Sequence, residues 1–385
     1  MSSDLDQVFI IDAEEAKEAL RTTEAAITTA ERSGDRRAKA LNLIKHADAL
    51  IATGTTMPQE AMTQVTEAQN LCEDLRFEEG RAAAMSVMGK LYAKYGGADE
   101  DDFEMALDLA QDSVKLFRKC GYKKGEAFAL MTLATVESAL GRPDGVVARA
   151  KESLLLFQQL GEMACVAELY MIMAGGFMTQ GDTRRASSMV YKAVDIHQST
   201  GAKGKKAAAL HKAGSTDLAG GETEKALDAL GRAKDLYKEV NDHNGMAAVM
   251  GSVMDMHMSA GRFVQAVQVQ KEIITLFHNA VDHRGEGKAL LKLAEMLLAK
   301  KEIAKASKLA EVAMGFFATL QDRDGMKDAM EMLGAVKHAR VKSELEFVID
   351  RNSDFMHVPR SLIVDPGLNK RITDEYGDLV RRGLA

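Results

Sequence analysis

The nine histidines are the first residues to test for chemistry, because imidazole binds metal ions and transfers protons near neutral pH. His278 and His283 stand five residues apart in "HNAVDH". Two zinc ligands on one helix face are instead four residues apart, as in the HExxH motif. A spacing of five separates the two rings across a helix or a turn. We interpret them as a surface pair and expect no metal site there.

Two further features resemble chemical sites only in part. The stretch "GAKGKK" (201–206) has the glycines and lysines of a phosphate-binding loop, but no Ser or Thr follows its lysines and no strand pattern precedes it. Cys72, Cys120 and Cys165 lie far apart and form no CxxC pair, which is typical of buried free thiols in a reducing compartment. The sequence therefore predicts a protein that is not an enzyme and holds no cofactor and no metal.

Composition limits the partner and the location. The net charge of −7 over 385 residues argues against nucleic acid, because neutralising phosphates requires a basic surface. The first twenty residues carry acids where a signal peptide needs bases, and their apolar run is only Val8–Ile11. No stretch is long and apolar enough for a membrane span. We expect a cytoplasmic protein without membrane insertion.

A period of 40 residues organises the chain. Stepping by 40 from Phe117 gives an aromatic residue at five of six positions, although only 5% of the residues are aromatic. Three further rows contain mainly glycine or alanine at the same period. The rows are Phe117, Phe157, His197, Tyr237, Phe277 and Phe317; Gly125, Cys165, Lys205, Gly245, Gly285 and Gly325; Gly141, Gly181, Gly221, Gly261 and Lys301; and Val146, Ala186, Ala226, Ala266 and Ala306.

Each period contains two predicted helices. Apolar and small residues recur every three or four positions after Gly125, and again after the turn "GRPDG" (141–145). The glycines of the Gly141 row follow the first helix, where a left-handed residue closes the helix without steric cost. A single hairpin cannot bury both of its apolar faces, whereas stacked hairpins can. The pattern predicts an all-α solenoid in which the aromatic row packs between consecutive repeats.

The rows resemble the tetratricopeptide repeat, in its longer-repeat branch of kinesin light chains and Pins/LGN proteins. The residues that carry this resemblance are a small residue in the first helix, a turn glycine and two alanines of the second helix. The small residues are Gly89, Ala134, Ala174, Gly214, Ala294 and Gly334. The resemblance covers about seven repeats (35–340). It implies a right-handed superhelix whose inner surface, a concave groove, is lined by the first helices.

The family register places a set of side chains on this groove as contacts for a protein or peptide partner. They are Lys90, Met131, Thr135, Met171, Met178, His211, Ser215, Asp255, Met258 and Glu295. The asparagines of the cochaperone carboxylate clamp and of the Pins/LGN ladder are absent from these positions, which favours a different binding mode. The four methionines suit an adaptable partner surface or fill gaps between helices. Asp255 and Glu295 form a candidate acidic pair for a basic ligand.

The ends of the chain depart from the repeat. Residues 1–34 are predicted to form an N-terminal cap helix (12–32) that starts with a capping box of Asp12 and Glu15, and 35–350 the solenoid with a final capping helix (326–348). Residues 351–385 are predicted to form an extended apolar segment and a short helix. We expect this tail to dock on the last repeats, in the groove, or on a partner.

Three functions fit the sequence. The first is a non-enzymatic protein–protein interaction scaffold that binds a peptide or helix in its groove. The second is a permanent structural subunit of a large multiprotein assembly, which would use the outer faces and the ends. The third is a regulatory sensor of a short peptide or small molecule. Repetition without a catalytic constellation favours the scaffold.

Overall fold

The computed structural model of the chain describes residues 5, 8–10, 13–54, 58–96 and 100–353. This part contains sixteen helices and no strand. It divides into two compact units, Met1–Arg262 and Phe263–Ala385. The helices of the first unit are α1 Ala13–Ser33, α2 Arg36–Thr53, α3 Pro58–Asp74, α4 Glu78–Tyr95, α5 Glu100–Cys120, α6 Lys123–Ala139, α7 Pro143–Leu160, α8 Met163–Thr179, α9 Thr183–Ser199, α10 Lys203–Ala219, α11 Thr223–Glu239 and α12 His243–Ser259. Those of the second are α13 Phe263–Asn279, α14 His283–Ala299, α15 Ile303–Leu320 and α16 Arg323–Ser353.

Within each unit every helix packs against the next, so the units are stacks of helical hairpins. The prediction of an all-α repeat solenoid is confirmed. The even-numbered helices α2 to α14 are the first helices of the predicted repeats, and the odd-numbered helices α3 to α15 are the second. In the Gly141 row every turn residue, including Lys301, has a positive φ between 61° and 82°. The turn glycines are therefore explained by the left-handed backbone that ends each first helix.

The aromatic row and the Gly125 row are two sides of one contact. Phe117, Phe157 and Phe317 are completely buried, and Tyr237 and Phe277 are buried too. A methyl group built on Gly285 would lie 2.5 Å from Cδ1 of Phe277, and Gly125 would clash with Phe117 in the same way. The ring at the end of each second helix thus covers the first turn of the next first helix. The pair His197 and Lys205 departs from both rows, and Cys165 departs from the glycine row alone, since Phe157 is kept.

Small residues bring the two helices of a hairpin close together. Ala226 and Ala233 of α11 are fully buried. A Cβ on Gly214 of α10 would lie 3.1 Å from the carbonyl oxygen of Ala226, and one on Gly89 of α4 would lie 3.2 Å from that of Ala106. Because side chains larger than methyl would separate these backbones, the small-residue positions of the sequence are explained by packing.

A pair of glycine substitutions tests the ring-over-glycine contact. Gly285→Ala should destabilise the protein by about 1–3 kcal/mol, because the new methyl group overlaps the buried ring of Phe277. Gly315→Ala is the matched control, because nothing lies within 4 Å of the position of its Cβ in α15. It should stabilise the protein by about 0.5–1 kcal/mol through helix propensity. Urea unfolding measures both changes, and equal signs would contradict the contact.

The two ends agree with the sequence only in part. Helix α1 spans Ala13–Ser33, close to the predicted 12–32, and α16 begins three residues before the predicted start and extends to Ser353. Asp12 of the predicted capping box and the tail from residue 354 lie outside the described residues, so tail docking stays a prediction. The division into cap, solenoid and tail also stays a prediction. No helix in the described ranges has the length and apolar character needed to cross a membrane.

Candidate functional site

Two clefts open on the first helices of the first unit. The first cleft has a volume of about 610 Å³ and is lined by α2, α4 and α6, with one residue of α8. It contains the predicted groove residues Lys90 and Thr135, together with Asp48, Lys94 and Ile10. The family register thus places Lys90 and Thr135 in one cavity, as expected for positions that share a face in neighbouring repeats.

An internal ion pair occupies the floor of the first cleft. The Lys90 ammonium lies 2.8 and 3.0 Å from the two carboxylate oxygens of Asp48, whose side chain is only 2% exposed. Lys94 donates to the carbonyl oxygen of Ile51 at 2.5 Å, where it satisfies the end of α2. The Thr135 hydroxyl donates to its own helix at Met131. The lysines of this cleft therefore have internal partners, and the role of Lys90 as a partner contact stays a prediction.

A short segment that precedes α1 lies against the same face. Val8, Phe9 and Ile10 are each at most 5% exposed. Phe9 stacks on Phe128 of α6 with ring centroids 4.3 Å apart and an interplanar angle of 11°. The backbone N–H of Ile10 donates to Asp48 Oδ2 at 3.1 Å. The repeat pattern gave no indication of these contacts, although an apolar run between acidic residues was visible.

The second cleft, of about 620 Å³, lies between α10 and α12 and is more polar. It is lined by Ser215 and Asp255, which were predicted, and by Ser252 and Arg262. Asp255 is exposed, and within the described ranges its carboxylate has no hydrogen-bond or ion-pair partner. A carboxylate, a guanidinium and hydroxyl groups in one open cleft can bind the backbone and polar side chains of a peptide.

A histidine continues the face of the second cleft. His211 Nε2 lies 2.8 Å from the Ser252 hydroxyl, so the two helices are linked across their first-helix face. Burial, and to a smaller extent the charge of Lys212, lowers the pKa of His211 below its usual value. The ring is therefore neutral at pH 7 and serves as a hydrogen-bond partner rather than a cation.

The remaining predicted residues differ in accessibility. Met131 is buried in the core of the first unit, which corrects its assignment to the groove surface: its position is covered by packing in this repeat. Met171 and Met178 are half-buried against that core. Met258 is 39% exposed. Of the four methionines, therefore, the last three retain surface for a partner.

Glu295 belongs to the second unit and is described with it. Its carboxylate is exposed and accepts from Lys292 of the same helix at 2.8 Å. An exposed ion pair of this kind contributes little to stability and exchanges readily with a ligand. Its pairing with Asp255 as a basic-ligand site stays a prediction.

His278 and His283 meet at a carboxylate. Their Nδ1 atoms lie 3.1 and 3.6 Å from the two oxygens of the buried Glu286. Forty-residue steps relate this cluster to Arg118 and Lys123, which bind Glu126 in the same arrangement. The pair is thus a surface variant of a repeated ion cluster. No set of three metal-ligating side chains was found in the parts of the chain that the structure describes.

A buried polar network in α9–α11 contains a hydroxyl beside a lysine. Asp217 accepts from Ser187 at 2.6 Å, from Tyr191 at 3.0 Å and from Lys225 at 3.1 Å. Burial and then the Asp217 carboxylate raise the pKa of Tyr191 to about 12. The Lys225 ammonium also donates to the Ser187 hydroxyl at 2.9 Å. The network holds three helices together.

Burial disfavours the thiolate form of two of the three cysteines. Burial raises the pKa of Cys72 and of Cys165 to about 12, so neither forms the thiolate that attacks a substrate or binds a metal at neutral pH. Both side chains belong to the core of the first unit. The prediction of buried free thiols is confirmed for these two residues, whereas Cys120 is half-buried.

The fold, but not the sequence, resembles known proteins. No family model and no curated protein matches the chain. Among solved structures, yeast Tom70 superimposes with a TM-score of 0.52 and 14% identity, over 94% of this chain and 62% of Tom70. BtubC from P. vanneervenii gives 0.49 and 20%, over 59% and 92% of the two chains. A Pyrococcus horikoshii STAND protein with a tetratricopeptide repeat sensor gives 0.49 and 15%, over 87% and 54%.

Identities at this level are informative about the fold alone. The match to Tom70 extends over nearly the whole chain, and it agrees with the repeated hairpins, the left-handed turn residues and the ring-over-glycine contacts. The chain therefore has the fold of a tetratricopeptide-type helical-repeat solenoid.

Proposed function

We propose that the protein is a non-enzymatic interaction scaffold that binds a peptide or helix of another protein in the groove formed by its first helices. The single observation that supports this best is the second cleft, where Asp255 and Arg262 line an open surface beside Ser215 and Ser252. The side chains of Asp255 and Arg262 have no internal partner in the described residues, and charged groups of this kind in an open cleft are typical of recognition sites.

The half-buried methionines add an apolar component to this surface. Met171 and Met178 lie on α8, and the exposed Met258 lies on α12. Because thioether side chains are unbranched and polarisable, they adapt to differently shaped apolar ligands. We therefore expect a partner segment that combines apolar side chains with a basic group for Asp255.

A structural subunit is the second candidate, and one observation favours it. Leu155 on α7, a second helix, is 61% exposed. Leu160 of the same helix is 43% exposed, so α7 offers more than one apolar side chain to a permanent assembly. The two functions differ in which helices bind, so the same experiment separates them.

The test is affinity capture from cytosol with the tagged full-length chain. The double substitution Met171→Glu with Asp255→Lys places a charge among the groove methionines and reverses the charge of the second cleft. We expect it to reduce partner recovery about tenfold or more, since like charges at an interface cost several kcal/mol. Melting temperatures of both chains verify that the variant is folded.

Leu155→Glu is the matched control on a second helix. We expect partner recovery to be unchanged by it. If recovery survives the groove substitutions and is lost with Leu155→Glu, the scaffold proposal is wrong and the structural subunit is favoured.

A further inference from the structure

Ile10 of the segment before α1 lines the first cleft, and Phe9 packs next to it on α6. Asp48 of α2, Lys90 of α4 and Thr135 of α6 line that cleft together with Ile10 of the segment. Phe128 lies seven residues, two helical turns, before Thr135 and so shares its helix face. Phe9 stacks on Phe128 and so lies at this face, where its ring also meets Phe117 of α5 edge-on at 6.2 Å and joins the core of the first unit.

The contacts of the segment are those of peptide recognition. The apolar side chains of the segment are buried: Val8, Phe9 and Ile10 are each at most 5% exposed, and Phe9 stacks on Phe128. A carboxylate of the groove, Asp48, accepts from a backbone N–H rather than from a side chain of the segment. Backbone contacts of this kind do not depend on sequence, whereas the aromatic stack selects for a ring.

The two groups that contact the segment, Asp48 and Phe128, are positioned by other residues of the solenoid. Asp48 is fixed by two hydrogen bonds from Lys90, so its free lone pairs keep their direction whether or not a backbone N–H is present. Phe128 is fixed from the other side by an edge-to-face contact with Phe157, with centroids 4.9 Å apart. Both recognition groups are thus positioned by the solenoid itself.

We infer that the first-helix face of α2, α4 and α6 beside the first cleft is a binding site for a segment with consecutive aliphatic and aromatic residues, and that Val8–Ile10 is its internal occupant. A partner segment of the same chemistry binds by displacing it. This inference rests on the proposed groove function but concerns α2, α4 and α6, whereas the capture experiment alters α8 and α12. If one of the two proposals fails its experiment, the other can still be tested by its own.

The experiment uses the full-length chain and a fluorescent peptide of its residues 1–12, MSSDLDQVFIID. In the variant Phe9→Ala with Ile10→Ala the internal segment loses its anchors. Fluorescence anisotropy should show that the peptide binds this variant about tenfold or more tightly than the wild-type chain, because the wild-type site is filled most of the time. A peptide with the same two alanines should bind neither chain.

A third variant locates the binding site. Adding Phe128→Ala to the double variant should weaken peptide binding at least tenfold, since the stacking partner is gone. Absence of peptide binding to the double variant, equal binding to wild type, or binding that is indifferent to Phe128→Ala would each overturn the inference.

Hydrogen exchange of the unmodified chain provides a test that no folding defect can affect. If the segment detaches while the solenoid stays folded, the Ile10 amide exchanges at least tenfold faster than core amides of α6 such as that of Leu130. Exchange of the two amides at one common rate would mean that residues 8–10 leave only when the protein unfolds. The segment would then be a fixed part of the core, and the inference would be wrong.

Discussion

Phe277→Ala is expected to lower the free energy of unfolding by about 3–5 kcal/mol. The ring is buried and covers Gly285, so its removal loses apolar burial and leaves a cavity that the glycine cannot fill. Rigid helices on both sides prevent the site from collapsing. Urea denaturation of the protein measures the change. Hydrogen exchange of α13 and α14 shows whether the second unit is the part that loses stability.

Phe316→Ala is the control for this substitution. Phe316 also lies in the second unit, but it is half-buried and its ring stacks on His283 at 5.3 Å instead of on a repeat glycine. We expect a loss of about 1 kcal/mol, the value of an aromatic contact at a partly open site. Equal losses for the two phenylalanines, or a near-neutral Phe277→Ala, would contradict the role assigned to the aromatic row.

Asp48→Ala is the second substitution with a large expected effect, a loss of about 3–5 kcal/mol. It leaves the Lys90 ammonium, whose side chain is 18% exposed, without its counter-charge, and the N–H of Ile10 without its acceptor. The cost arises from the stranded groups rather than from the strength of the pair. Thermal and urea unfolding at low salt measure it.

Two controls separate this cause from a general effect of charge removal. Asp228→Ala breaks an exposed pair with Arg232, at 3.4 Å, and should cost less than about 1 kcal/mol. The double change Asp48→Leu with Lys90→Met removes both charges of the buried pair and should recover most of the lost stability. If the double variant is as unstable as Asp48→Ala, the stranded charge is not the cause.

The repeat pattern predicted the fold because each row has a local physical reason. The turn glycines reflect a backbone angle, and the aromatic and Gly125 rows reflect one contact between adjacent helices. Because such reasons recur in most repeats, the residues that meet them recur at a fixed period. Even the exceptions follow them, since Lys301 adopts the same positive φ as the glycines it replaces.

The candidate site was harder to predict because its contacts do not recur. Ser215 and Asp255 were found through the register, and they do line one cleft. The ion pair of Lys90 with Asp48, 42 residues away, was not predicted, because a register argument does not show which charges meet. Met131 was misjudged because burial of a groove position depends on which side chains surround it in that repeat.

The segment at Val8–Ile10 was missed for the opposite reason. It lies outside the repeats, so no row indicates where it packs. Its signal was an apolar run, VFII, between acidic residues in a region without a helix pattern. An apolar run of this kind must be covered by something, and here the first-helix face covers it.

Site-specific photo-crosslinking tests the central claim most directly, because it reports which surface touches the partner. A benzophenone amino acid is placed at Ser215, which lines the second cleft, or at Leu155, which is exposed on a second helix. The scaffold account predicts a crosslinked partner from position 215 and none from position 155. Crosslinking from 155 alone would show that the outer helices bind the partner, and it would contradict the account.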